Sequence, residues 1–250
     1  GPMPVHPSAG PCRHRVVRGP SGSRPPWALL LTLVPGLLAL PASAQAPPPQ
    51  VSAAITMEQA GMSDIRSLVP DIAQQIAYVG NDNFVGAPVD GYQAPRCWLK
   101  HDAAQALARV EAGLREQGLR LRIYDCYRPA RAVAHFMRWA SDLDDQRTKA
   151  SHYPTLDKAG LVGEYIATVS GDRRARTVDL TGLRCDEHGQ ACEPLDMGTD
   201  FDYFGTRANT DTTEVSAEQL ANRHLLRDAM QAQGFSNYPL EWWHYTLAVD

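Results

Sequence analysis

Near its C-terminus the chain places Glu241, Trp242, Trp243, His244 and Tyr245 in one uninterrupted run. Two adjacent tryptophans, followed by Thr246, Leu247 and Val249, read as the start of a buried strand rather than an exposed tail. This run constrains the fold more than any other stretch, because it requires the end of the chain to return into the core. It carries a carboxylate and an imidazole in with it, three positions apart. A histidine in an apolar wall beside a carboxylate suits a metal ligand with a general base next to it. It suits equally well a satisfied core histidine beside a surface glutamate, and the run alone leaves both readings open.

The 250 residues, 44% hydrophobic and 21% charged, supply one good core and match a single globular domain. Twenty-four basic against 28 acidic side chains give a net charge of −4, which argues against a nucleic-acid partner and for small-molecule or peptide chemistry.

Gly1 and Pro2 ahead of Met3 match the remnant of a cleaved tag. Arg13, Arg15, Arg18 and Arg24 then precede an apolar run from Trp27 to Leu40, and Ala42, Ser43 and Ala44 supply small residues for cleavage. Residues 1–44 therefore read as tag remnant and secretory signal peptide, with processing after Ala44. A run broken by Pro35 and Gly36 is too short to span a bilayer. Because no cysteine follows it, no stable membrane anchor is expected after cleavage, and the mature chain is expected to be exported, periplasmic or secreted. Residues 45–60 start rich in Pro, Ala and Gln and read as a flexible leader, leaving 61–250 as the folded domain.

Export decides how the cysteines are read. Cys12 leaves with the signal, and Cys97, Cys126, Cys185 and Cys192 remain. In an oxidising compartment an even set favours disulfides, and no CxxC pair points to a thiolate metal site. Three pairings are formally open. Cys185 and Cys192 flank a polar turn containing Gly189, which favours a hairpin-closing bridge and leaves Cys97 with Cys126.

Along the domain, a helical patch is expected around Ile72 and Ile76, then loop and short strand through Tyr92. Asp102 with Gln105 forms a capping-box-like start to a helix whose face is Ala103, Leu107, Val110 and Leu114, ending at Gly118. Leu119, Leu121 and Ile123 alternate with Arg120, Arg122 and Tyr124 as a half-buried strand. That strand runs into Asp125–Pro129 and a second helix through Val133, Phe136 and Met137, which sets Arg128 at a strand-to-helix junction, where a side chain either points into a cleft or caps the helix from the surface. Tyr165–Val169 and Thr177–Thr181 read as further strands. Asp179 interrupts the second, and a carboxylate there needs a cation, a donor or a metal to offset its desolvation. Ser216 with Gln219 opens the last helix, which ends at Gly234. The expected class is α+β: one compact domain with a small, mostly antiparallel central sheet flanked by helices.

Five pieces of this text occur together and in order in one family. They are Asn83–Gly86, Tyr124–Pro129, Val178–Thr181, Met197–Thr199 with Phe201 and Asp202, and Glu241–Tyr245. From about Tyr78 onward the chain resembles the zinc D-alanyl-D-alanine dipeptidases of the VanX type. The resemblance implies Zn²⁺ as cofactor and a small D-amino-acid dipeptide as substrate. In the family's SxHxxGxAxD pattern the last aspartate is a zinc ligand, matching Asp179, and the histidine of ExxH is another, matching His244. The glutamate of ExxH is the general base, matching Glu241. The arginine after YDxY stabilises the transition state, matching Arg128. Ser170 and Asp202 carry over as substrate-binding residues. The remaining ligand of the pattern is a histidine, and here the position is Asp172; Ala175 replaces its glycine and Thr177 its alanine. An aspartate can bind zinc but is shorter and adds a negative charge. The resemblance thus implies a dipeptidase, or alternatively a weakened or inactive relative that binds D-amino-acid peptides, or a wider-family peptidoglycan carboxypeptidase.

Overall fold

The computed structural model describes residues 56–168 and 174–249. In chain order they form β1 (Met62–Asp64), β2 (Ala73–Gln74), β3 (Trp98–Lys100), α1 (His101–Arg115), β4 (Leu119–Asp125), α2 (Ala130–Ser141), α3 (Lys149–His152), β5 (Thr177–Cys185), β6 (Cys192–Pro194), α4 (Ala217–Gln231), β7 (Phe235–Asn237) and β8 (His244–Leu247). The signal segment, its cleavage site, Ser170 and Asp172 lie outside the described residues.

The alternation in β4 decides the layout. Leu119, Leu121 and Ile123 turn inward beneath α1, and Arg120, Arg122 and Tyr124 stand half-buried on the other face. β4 pairs antiparallel with β5, β5 with β8, and β8 with β7, while β6 folds back on the far half of β5. The architecture is α+β, but the sheet is a mixed one of six strands rather than a small, mostly antiparallel one, because β2 joins it parallel to β4. Ile72 and Ile76, expected on a helical patch, are instead buried on either side of this two-residue strand. β1 and β3 pair separately.

Helix α1 begins at His101, so Asp102 lies in the first turn rather than at the cap; its carboxylate bonds Ala103 N and pairs with Arg176. α4 has the expected capping box, with Ser216 Oγ accepting from Gln219 N and Gln219 Oε1 accepting from Ser216 N. The chain leaves both helices through glycines in the left-handed region, Gly118 (φ 69°) and Gly234 (φ 89°), where a side chain would be strained. Among the described residues, the strand expected from Tyr165 does not form. Gly163 (φ 98°) turns the chain, and an isolated bridge between Val162 and Ile166 leaves a loop anchored by buried Ile166.

Two apolar clusters form. One lies between the sheet and helices α1 and α4, and it takes in Trp242, Trp243 and Tyr245. The other gathers Tyr78, Phe84, Phe136, Trp139, Tyr153 and Phe204 around α2 and the loops on the opposite side of the sheet. Burying each tryptophan of the pair contributes roughly 4–6 kcal/mol of transfer free energy. Disulfide Cys97–Cys126 ties the residue before β3 to the end of β4, and Cys185–Cys192 links directly opposed residues of β5 and β6. By loop length the first, closing 29 residues, contributes about 3–4 kcal/mol. It also pins the turn that carries Arg128.

Candidate active site

The register of two strands makes the site. Asp179 in β5 stands opposite His244 in β8, and His244 Nδ1 lies 2.7 Å from Asp179 Oδ1. Glu241, one turn before β8, approaches the same ring nitrogen, with its Oε2 at 3.5 Å. Nothing about this turn is left loose. Asn237 Nδ2 donates to the carbonyls of both Glu241 and His244, Trp242 N bonds Ala208 O, and Trp243 O accepts from Leu180 N. Trp242 Nε1 donates to Thr199 Oγ1. Both indoles are buried, and Glu241 and His244 line a cavity.

Arg128 reaches the cavity from the β4–α2 junction. Its Nε and Nη2 both donate to Asp125 Oδ2, at 3.2 and 3.0 Å, and Nη2 is 3.8 Å from Asp179 Oδ2. The other Asp125 oxygen accepts from Tyr92 Oη at 2.7 Å. The guanidinium also lies over the rings of Tyr78 and Phe136, at 5.4 and 4.9 Å. Burial works against its charge, but the fields of Asp125 and Asp179 outweigh burial and hold its pKa above the usual arginine value. A fixed cation therefore faces the carboxylates of the cleft.

Asp202 forms the opposite wall, in the left-handed region at φ 58°. Its Oδ2 accepts from Tyr78 Oη at 2.5 Å, and its carbonyl bonds His152 Nδ1 at 2.9 Å. Burial is the main cause that lifts its pKa to about 8, with Asp179 and Asp125 adding to it and Tyr78 and Arg128 opposing. In the folded state the proton is retained up to about pH 8, against an unfolded value of about 3.9. Stability contributed at acid pH is therefore lost as pH rises from about 4 to 8. Asp202→Asn removes this dependence and suits the left-handed backbone at least as well. In metal-free protein it is expected to unfold at higher temperature than wild type at pH 9 and to differ little at pH 4, as read by thermal melts across pH. Equal melting temperatures at pH 9 would show that the carboxyl is not held protonated.

These groups enclose about 230 Å³, walled also by Phe84, Glu164, Tyr165 and Phe204. Tyr238 Oη donates to Glu164 O and joins the two loops at the rim. The volume is below that of drug-sized pockets and suits a small ligand.

Of the residues carried over by resemblance, Arg128, Asp179, Asp202, Glu241 and His244 line this one cavity. Tyr78 also lines the cavity, and Tyr92 supports it through Asp125; sequence reasoning missed both, since both sit in irregular text, and the one available signal was an aromatic beside Asn83–Gly86. Among the described residues no group of three His, Cys, Asp or Glu side chains is placed to hold a metal ion. The described donors are one carboxylate and one imidazole nitrogen facing each other with a second carboxylate alongside. That donor chemistry fits zinc.

A family model described as D-Ala-D-Ala dipeptidase matches residues 58–250. A D-alanyl-D-alanine dipeptidase of Streptomyces coelicolor is 40% identical over 187 residues, 74% of this chain and 91% of that protein. One of Enterococcus faecium is 35% identical over 188 residues, 75% of this chain and 91% of its own length. One of Escherichia coli is 35% identical over 187 residues, 74% of this chain and 83% of its own. A match that runs through the sheet, the cleft and the closing strand shows that this chain belongs to the D-Ala-D-Ala dipeptidase family.

Proposed function

We propose that the cleft hydrolyses D-Ala-D-Ala or a closely related cell-wall dipeptide with zinc as cofactor. The observation that carries this reading is the meeting of Asp179, His244 and Glu241 on one wall with Arg128 at 3.8 Å from Asp179. Asp179 and His244 would hold the metal, with Asp172 in the position of the third donor. When bound, zinc lowers the pKa of a water and polarises the scissile carbonyl.

The side chains do the rest. Glu241 accepts the water's proton and returns it to the departing amine, work for which a carboxylate beside the metal ligands is suited. Arg128 stabilises the negative charge that develops on the carbonyl oxygen, and Asp125 and Tyr92 fix its aim before the reaction starts. Asp202 receives the substrate's ammonium group, whose charge draws the proton off the buried carboxyl, and Ser170 is assigned to substrate binding by resemblance alone. The small cavity suits a dipeptide.

Both disulfides suit an oxidising compartment, which supports the reading of an exported protein. Asp172 in place of histidine favours a second reading, a family member with weakened turnover. The test is release of D-alanine from D-Ala-D-Ala by metal-free protein before and after zinc is restored. Zinc-dependent turnover is expected. Dipeptide binding without turnover at any zinc concentration would support the degenerate binding protein instead.

A further inference from the structure

The open face of the sheet carries a second cavity that the dipeptidase reading does not use. It encloses about 630 Å³ between the middle of β4 and β5 and the loop that follows β6, with Arg122, Tyr124, Thr181, Asp196, Asp200 and Trp242 among its walls. An adjoining space of about 460 Å³ shares Arg122, Tyr124, Ser151, Asp200 and Phe201. Neither is lined by Arg128, Asp179, Glu241 or His244. The partition is aromatic. Phe201 stacks on Tyr124 at 4.6 Å and 15°, meets Trp243 edge-on at 5.5 Å, and has Tyr78 of the catalytic pocket behind it at 6.2 Å.

Arg122 is the group that requires an explanation. Its neighbour in the alternation, Arg120, shares Asp71 with Arg115. Arg122 has no carboxylate of its own among the described residues. Its Nη2 donates to Tyr124 Oη at 3.2 Å, and its Nε is buried without a hydrogen-bond partner. Arg122 is half-buried in the cavity wall, with Nε its one nitrogen that is both buried and unpartnered, and a guanidinium so placed can take an acceptor. The acceptor that matches its fork is a carboxylate, which takes two parallel N–H bonds. Hydroxyls from Ser151 and Thr181 stand nearby. Of the two carboxylates in the wall, Asp196 is engaged by Gln219 Nε2 and Gly198 N. Asp200 is exposed at the rim, placed for a cationic group.

We propose that this cavity is a binding site for a free α-amino acid, with its carboxylate on the Arg122 guanidinium and its ammonium toward Asp200. It is separate from the catalytic cleft, and only the choice of D-alanine as probe rests on the dipeptidase reading.

The indole N–H of Trp242 reports on it, because Trp242 walls this cavity and donates to Thr199 within it. The full chain, labelled with ¹⁵N, is titrated with D-alanine and separately with D-alaninamide, which lacks the carboxylate. A saturable movement of the Trp242 indole signal is expected with D-alanine, at least about tenfold weaker in apparent affinity with the amide. Arg122→Ala is expected to abolish it and Arg122→Lys to weaken it. No saturable movement with D-alanine, an equal response to the amide, or an undiminished response in Arg122→Ala would each overturn the proposal. If Arg122→Ala does not fold, the same two-ligand comparison on Arg122→Gln decides, an undiminished response there overturning the proposal.

Discussion

Glu241→Gln is expected to lower kcat for dipeptide hydrolysis by about 10²–10⁴-fold. The substitution keeps the shape of the side chain and every backbone bond that positions it, including Asn237 Nδ2 to Glu241 O and Glu241 N to Tyr238 O. What is lost is the capacity to take a proton. Because Glu241 is assigned as a base and not as a ligand, zinc content is expected to hold, and KM is expected to change far less than kcat. Steady-state release of D-alanine, with metal analysis of the same preparation, checks both. A kcat within about threefold of wild type, at full zinc content, would remove Glu241 from the proton path.

Arg128→Ala is expected to act twice. Removing a donor aimed at developing oxyanion charge costs about 10²–10³-fold in kcat. It also takes from Asp125, which is 1% exposed, the guanidinium that offsets its buried charge. Breaking a buried ion pair from one side costs about 3–5 kcal/mol, so urea unfolding is expected to shift with the kinetics. Arg128→Lys separates the two effects. Lysine restores a charge but not the paired Nε and Nη2 bonds or the stacking over Tyr78 and Phe136. Stability is expected to recover more than kcat. Recovery of kcat to the wild-type value with lysine would mean that the charge alone matters and that the Asp125 clamp has no part in aiming it.

How far the fold was legible depended on whether the information was local. β4 declared itself because Leu119, Leu121 and Ile123 alternate with polar residues over a whole strand, and α4 because Ser216 and Gln219 cap it within one turn. Tyr165–Val169, whose last residue lies outside the described residues, misled, since a short β-branched run reads as a strand wherever it lies, and Gly163 and the packing of Ile166 make the described part a loop. The parallel entry of β2 could not be read from two residues. In the site, the pentapeptide at 241–245 signalled a carboxylate and an imidazole beside a buried strand, with a surface glutamate still open, and their meeting with Asp179 is a matter of register between strands far apart in sequence. No periodicity in either strand specifies it. Arg128, Asp179 and Asp202 were assigned roles by likeness to a family and not by pattern. Tyr92, 33 residues from Asp125, had neither signal.

The claim on which the rest depends is that β5 and β8 bring Asp179 and His244 to one cation. Titrating metal-free protein with zinc against a competing chelator tests it most directly. One zinc per chain is predicted, with affinity weakened by at least about a hundredfold in Asp179→Ala and in His244→Ala, and little changed in Glu241→Gln. Zinc bound as tightly by both alanine variants as by the unaltered chain would contradict the account.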